Sequence, residues 1–360
     1  MNNVKANDLI LFDEEAYDKL KRYLIYNVSS IEEIFILVDS ITKKYCLPIL
    51  LKYLFFIKKP NVITINSGET EKNIYTCIKI CKEIEIKKGT RDSILINLGG
   101  GVLTDIGGFV ASIFKRGIRF INIPTTLLGM VDASIGYKNG INLGSIKNEI
   151  GSFYIPELLI IDINFLKTLD DKEIISGMSE MFKYGLIRDK EFWIDMKKYY
   201  TYIKNKKIEE KKFKCLIKKS IMIKQEIVEK DPKENGLRKI LNFGHTIGHS
   251  LESFFMKDIN KKIIHGIAVA NGMIYESWIS YQLNMLSNID YKEIKSTLLY
   301  LYPITNKFSN KEIEYMFKIM QYDKKNKNNK IQFSLIKKIG NCSYNCIVSN
   351  SLIKKSFIKF

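Results

Sequence analysis

Residues 93–109 read SILINLGGGVLTDIGGF. An apolar, β-branched run, SILINL, meets three glycines, Gly99, Gly100 and Gly101. Val102, Leu103, Thr104 and Asp105 then open a stretch of helical composition. A continuous apolar strand set between helices is buried on both faces, as in a parallel sheet. Glycines let the backbone come close to a pyrophosphate, and the first turn of the following helix attracts negative charge. The fingerprint GxGxxG is not met, because Thr104 stands where its last glycine belongs. Taken alone, the turn suits either a nucleotide or a ligand-free connection.

The same alternation extends outward. IEEIFILVDS ends a strand at Asp39, NVITIN (61–66) is another, and FINIP (120–124) a third, with a helix expected over about residues 71–85. The turns SGETEK (67–72) and Pro124-Thr125-Thr126 follow two of these strands. Ligands of open α/β sheets gather at the carboxyl ends of strands. Beyond Asp170 the pattern changes to long helices, expected over 172–187, 208–229, 237–255 and 265–283, while the Lys/Asn-rich stretch 324–330 reads as a loop. The expected organisation is an α/β domain over residues 1–165 and a mostly α-helical domain over 166–360.

A chain of 360 residues, 46% of them hydrophobic, is long enough for two packed cores. No apolar run approaches a bilayer-spanning length, and the start MNNVKANDLI lacks a secretion pattern, so a cytoplasmic protein without membrane attachment is expected. The six cysteines lack CxxC spacing and read as buried thiols in a reducing compartment. The net charge of +18 raises a polyanion partner. Runs such as KKIEEKKFK mix both signs in the manner of solvated helix faces, and no basic motif is interleaved with aromatics. Nucleic acid is therefore not the expected partner, although a basic cleft would draw an anionic substrate.

Residues 132–153, DASIGYKNGINLGSIKNEIGSF, read as a polar loop presenting Lys138, Lys147 and Asn148. Lysine serves phosphate as a point charge, but a surface loop in a lysine-rich chain has the same composition. The chain's three histidines fall in one window, as His245, His249 and His265. If residues 238–252 are helical, Arg238, Asn242, His245 and His249 share one face. Burying such a stripe without ligands costs on the order of 2–7 kcal/mol per unpaired polar group. Gly244 and Gly248 weaken the helix or admit a close neighbour. The HExxH zinc motif is absent, since Thr246 follows His245. A carboxylate would complete a three-ligand centre with an open position. Glu180 in ISGMSEMFKYG is the candidate, with Lys183 one turn further on; the alternative is a solvent-facing glutamate.

In order, LGGGVLTDIGGF, RGIRFINIPTTLL, VDASIGYKNGIN, KNEIGSFYIP, GMSEMFKYGLI, ENGLRKILNFGHTIGHSLE and HGIAVANGM resemble the 3-dehydroquinate synthase family. The likeness covers residues 66–273 and, more weakly, the DKK segment at 323–325. It implies a Rossmann-like NAD domain, a mostly helical metal-binding domain with Zn2+ or Co2+, an active site between them and a homodimer. It implies a small sugar-phosphate substrate, 3-deoxy-D-arabino-heptulosonate 7-phosphate. This becomes 3-dehydroquinate and phosphate, with NAD used and regenerated in each cycle of this shikimate-pathway step toward aromatic amino acids.

By the same resemblance Glu180, His245 and His265 hold the metal, and His249, grouped with His245 by spacing, faces the substrate instead. NAD falls to Asp39, Glu69, Lys72, Gly99, Gly100, Gly101, Val102, Leu103, Thr104, Asp105, Thr125 and Thr126, with Lys138, Lys147, Phe165 and Thr168. Substrate contacts fall to Arg116, Asp132, Lys138, Lys147, Asn148, Lys183, Lys224, Arg238, Asn242 and His249, and to Lys324 or Lys325. Three positions depart from the family pattern: Tyr137 replaces a glycine of GGK, Ile146 a glycine before the second lysine, and Ile267 the glutamate of HGEAVA. They remove none of the charged groups assigned to metal or substrate, and bear on loop geometry and metal support. Competing expectations are another sugar-phosphate cyclase, a metal-dependent polyol dehydrogenase, a polyanion-binding protein, and a catalytically silent relative. Arg238, Lys224 and the lysines at 324–325 could pair with the substrate carboxylate, which a neutral sugar phosphate lacks.

Overall fold

A computed structural model describes residues 9–144, 146–256, 263–303, 307–321 and 331–358. The chain divides into two compact units, Met1–Asp170 and Asp171–Phe360.

The first unit runs β1 (Ile10–Phe12), α1 (Asp13–Asn27), β2 (Ile34–Asp39), α2 (Ser40–Tyr45), α3 (Leu47–Tyr53), β3 (Asn61–Ile65), α4 (Ile74–Ile86), β4 (Ile94–Gly99), α5 (Gly101–Ile113), β5 (Arg119–Pro124), β6 (Lys138–Leu143), β7 (Ile146–Phe153) and β8 (Leu158–Ile161). Six strands form one sheet in the order β1-β8-β5-β4-β2-β3, and every pairing is parallel. All of β4 is buried, which is why its sequence is continuously apolar rather than alternating. Direction reverses between β2 and β4: from β2 the chain moves outward to β3, and from β4 it moves the other way to β5. Leu37 pairs with Asn97, so Asp39 and Gly99 stand side by side two residues on, at the carboxyl ends flanking this reversal. That crevice is where open α/β sheets take ligands.

The polar loop expected over 132–153 is instead largely an antiparallel hairpin. β6 and β7 pair from Lys138 with Phe153 to Leu143 with Ile146. Its Gly- and Asn-rich composition hid the strands. They are held by backbone pairing and by Ile141, which is fully buried, with Ile150 packed on the same core beneath α5. Asp132 precedes the hairpin in a π-helical turn, Gly129–Ala133. The helix expected from residue 71 starts later, where the Asn73 side chain accepts the Thr76 N–H. A 3-10 turn, Glu69–Glu71, occupies the interval.

The second unit contains α6 (Asp171–Ile187), α7 (Lys190–Lys204), α8 (Glu210–Lys230), α9 (His245–Phe255), α10 (His265–Gln282), α11 (Asn288–Leu301), α12 (Asn310–Gln321), a two-stranded ribbon of β9 (Gln332–Lys338) and β10 (Asn341–Ile347), and α13 (Asn350–Ile358). It is mostly helical, as expected. α10 is buried nearly all round and packs against α6, α9 and α11. The single helix expected over 237–255 is broken. Leu237–Asn242 is a 3-10 segment, and Gly244 takes the left-handed conformation (φ +79°) before α9 begins. Arg238 and Asn242 therefore do not share a helical stripe with His245 and His249. Residues 322–330, with Lys324 and Lys325, lie outside the described residues. Among those described, no helix is long and apolar enough to cross a membrane.

Candidate active site

In the first unit the glycine turn leads from β4 straight into α5. The Thr125 N–H donates to Gly99 O at 3.0 Å, fastening the ends of β5 and β4. Gly100 caps α5 with no side chain, and a Cβ there would stand 2.9 Å from Thr126 Cγ2. The turn leaves the first N–H groups of α5 at the carboxyl end of the central strand, as an anion requires. Val102, Leu103 and Thr104 lie in that first turn. The Thr126 hydroxyl accepts the Gly129 N–H at 3.1 Å, at the head of the turn that carries Asp132.

Lys72 Nζ lies 2.6 Å from Asp105 Oδ2 and 2.6 Å from Asn148 Oδ1, with little of the lysine exposed. Asn148 has φ +53° and Tyr137 φ +63°. Lys147 Nζ is 3.8 Å from Glu69 Oε1, which also accepts from Asn142 Nδ2 at 2.9 Å. The structure thus gathers Glu69, Lys72, Asp105, Lys147 and Asn148. The gathering residue, Asn142, went unread in the sequence. Its side chain accepts the Asn148 N–H at 3.0 Å while its own N–H donates to Lys72 O at 2.8 Å. Nothing in a polar hairpin strand marked it out.

Other assigned residues sit in defined elements of this unit. Asp39 Oδ1 accepts the N–H groups of Ile41 and Thr42 and so caps α2. Phe165 is core, and Thr168 closes the same 3-10 segment, Ile163–Thr168. Arg116 lies in a left-handed turn at the far end of α5 from the glycines, and Lys138 is exposed at the start of β6.

In the second unit, Glu180 is fully buried on α6, which excludes the solvent-facing alternative. Its Oε1 lies 3.5 Å from His245 Nε2 and 3.9 Å from His265 Nε2, and its Oε2 contacts Lys183 Nζ. One ligand atom from each of Glu180, His245 and His265 fits within 4.8 Å of the others; His249, Glu252 and His265 form a second such group. The His249 ring centroid is 5.1 Å from that of His245 and 6.0 Å from that of His265. Two imidazole nitrogens and a carboxylate oxygen, gathered on buried elements, suit a divalent ion of the zinc or cobalt kind and leave coordination positions open.

His245 and His265, the two histidines beside Glu180, begin helices, so what holds those helix starts aims the rings. Fully buried Glu276 on α10 accepts the Gly244 and Ile247 N–H groups. The Ser176 hydroxyl on α6 accepts the Gly266 N–H at 3.1 Å. The Tyr302 hydroxyl donates to Ile175 O, and burial, then the charge of Glu180, push its phenol well above the usual range. Sequence reasoning passed over Glu276, although a lone carboxylate within an otherwise apolar helix is a readable signal.

Arg238 is buried and its guanidinium donates to Pro232 O at 2.6 Å, while Asn242 Nδ2 donates to Glu234 Oε1 at 2.6 Å. Lys224 is buried on α8. Asp231 organises this loop. Burial alone would raise its carboxyl, but the N–H groups of Gly236, Asn235 and Arg238 hold it below the ordinary range.

Residues 62–176 match the family model of the 3-dehydroquinate synthase N-terminal domain, and residues 177–326 match that of its C-terminal domain. The 3-dehydroquinate synthase of Parabacteroides distasonis is 38% identical over 335 residues, covering 90% of each chain. That of Dictyoglomus thermophilum is 39% identical over 345 residues, covering 96% of this chain and 92% of its own. A Streptomyces hygroscopicus 2-epi-5-epi-valiolone synthase, solved with NAD+ and Zn2+ bound, matches with a TM-score of 0.84 at 22% identity, covering 97% of this chain and 95% of its own. A 2-deoxy-scyllo-inosose synthase, solved with carbaglucose-6-phosphate, NAD+ and Co2+, matches with a TM-score of 0.84 at 23% identity, covering 97% and 96%. These last two likenesses bear on fold. With both halves matched by the family's own models, and with relatives alike along nearly the whole length, the chain belongs to the 3-dehydroquinate synthase family.

Proposed function

We propose that this chain converts 3-deoxy-D-arabino-heptulosonate 7-phosphate into 3-dehydroquinate and phosphate, in the cytoplasm and as a homodimer, within aromatic amino acid biosynthesis. The observation that carries the reading is the convergence of Glu180, His245 and His265 in a chain that also sets a glycine turn at the sheet's switch point.

When bound, NAD supplies a hydride acceptor regenerated in each turnover, and a divalent ion supplies a Lewis acid toward substrate hydroxyls. In this reading Glu180, His245 and His265 hold the ion, and the carboxylate offsets part of its charge. Gly99 to Asp105 receive the dinucleotide pyrophosphate, with Lys72, Thr125 and Thr126 beside them. Lys147, Asn148 and His249 orient the substrate phosphate. As the carbon–oxygen bond breaks, charge builds on the departing phosphate, and these cations and donors stabilise it. Arg238, Asn242 and Lys224 hold the substrate carboxylate. The hairpin strain at Asn148 is sustained by Lys72 and Asn142, which keep its amide aimed.

The test is to supply the heptulosonate phosphate, NAD and Zn2+ and to measure phosphate release and NADH absorbance. Stoichiometric phosphate without net NADH, abolished by a chelator, is expected. NADH accumulating in step with product would overturn the reading in favour of a polyol dehydrogenase.

A further inference from the structure

We propose that Glu252 is the positioning residue for His265: it holds the imidazole by Nδ1 so that Nε2 faces the ion, and it is not itself a ligand. The inference rests on the metal reading above.

His265 Nδ1 lies 3.3 Å from Glu252 Oε2, and His265 Nε2 lies 3.9 Å from Glu180 Oε1. A neutral imidazole carries one N–H and one lone pair, on opposite nitrogens. An ionised carboxylate only accepts. Buried Glu252 therefore fixes the proton on Nδ1 and leaves the lone pair on Nε2. One lone pair cannot serve two ions in different directions. The His265–Glu180 arrangement and a separate ion between His249, Glu252 and His265 Nδ1 thus exclude each other while the ring is neutral.

His245 decides between them, because it repeats the pattern independently. Its Nδ1 stands 3.2 Å from Phe243 O, which can only accept, and its Nε2 stands 3.5 Å from the same Glu180 oxygen. Two rings on two helices thus each have an acceptor behind and Nε2 toward one carboxylate. His249 lies one turn further along α9.

The test titrates Zn2+ against a chromogenic chelator at fixed pH, with metal content per chain and the Co2+ visible spectrum as further readouts. It uses the whole protein and Glu252→Ala, Glu252→Gln and Glu180→Ala. The whole protein should bind one ion. Glu252→Ala should weaken Zn2+ binding about 10- to 100-fold and keep one ion with an altered Co2+ spectrum. Glu252→Gln, whose amide oxygen can still accept from Nδ1, should stay within about threefold of the parent. Two ions in the parent and one in Glu252→Ala, or complete loss of the ion in Glu252→Gln, would make Glu252 a ligand and overturn the proposal. Unchanged affinity in Glu252→Ala would overturn it too. If Glu252→Ala does not fold, Glu252→Gln decides. Glu180→Ala tests the centre separately, because retained binding there removes the metal reading itself.

Discussion

Glu276 and Gly244, 32 residues apart, meet at the start of α9, where Glu276 Oε2 accepts the Gly244 N–H at 2.6 Å. Oε1 of the same carboxylate accepts the Ile247 N–H at 3.0 Å. The first N–H groups of a helix have no partner within it, and here a neighbouring helix supplies one. Glu276→Gln turns an amide NH2 toward one of these donors. The expected loss is about 2 kcal/mol, read from urea unfolding, with His245 less well held and Zn2+ binding weakened. An unchanged midpoint would remove Glu276 from this role.

Gly272 on α10 faces the same turn. A Cβ there would meet Gly244 O at 2.0 Å and Gly248 N at 2.8 Å, both backbone atoms that cannot step aside. Gly272→Ala should cost about 3 kcal/mol, at the upper end of overpacking, and should lower the melting temperature of the metal-loaded protein. Full stability would show that α9 and α10 can separate.

Within the histidine group, Glu180→Ala, His245→Ala and His265→Ala should each abolish Zn2+ binding, by metal analysis after gel filtration. His249→Ala should keep the ion and lower kcat. Loss of the ion in His249→Ala would show that the roles along α9 are divided wrongly. Chelation should lower the parent's stability by about 2.7 kcal/mol relative to Zn2+ at 100 times its Kd.

Lys72 sits between Asp105 and Asn148, with side-chain exposures of 7% for Lys72 and 18% for Asp105. Lys72→Met leaves a half-buried carboxylate without its cation, a loss of about 3 kcal/mol, and should weaken NAD binding in fluorescence titration. Asn142→Ala should cost about 1 kcal/mol per lost hydrogen bond while raising the substrate KM. NAD affinity unaltered in Lys72→Met would remove the lysine from the nucleotide site.

Asp231 carries the pH dependence that can be signed. Its carboxyl is held low in the folded state despite burial, through the Gly236, Asn235 and Arg238 N–H groups. A depressed folded value means the stabilisation is complete above the unfolded carboxylate value of about 4. It is lost as pH falls through the lower folded value. Asp231→Asn should therefore flatten the fall in urea midpoint below about pH 4 and lower stability at neutral pH. An unchanged acid limb would place the effect elsewhere.

The alternating architecture was legible because burial on both faces forces strands such as 94–99 to be apolar throughout, and because long helices carry a sustained period. The glycine turn was legible because it follows directly on such a strand. The hairpin at 138–153 was not, since its pairing is settled by backbone bonds and by buried Ile141 with partly buried Ile150 rather than by composition. Gly244 weakens a helical reading of 237–255, but the sequence does not place the break there. Its cause is Glu276 and the close passage of α10, both distant in the chain.

From the amino-acid order alone came the residue types of the site: one carboxylate, three imidazoles, and lysines near a glycine turn. Tertiary structure decided which of them meet and by which atoms. Glu180 and His265 are separated by 85 positions, yet a fully buried oxygen stands 3.9 Å from an imidazole nitrogen. Local spacing orders residues only within a helix or strand. Contacts between elements arise from packing and from buried partners such as Glu252, Glu276 and Asn142, whose effect depends on what lies opposite them in space.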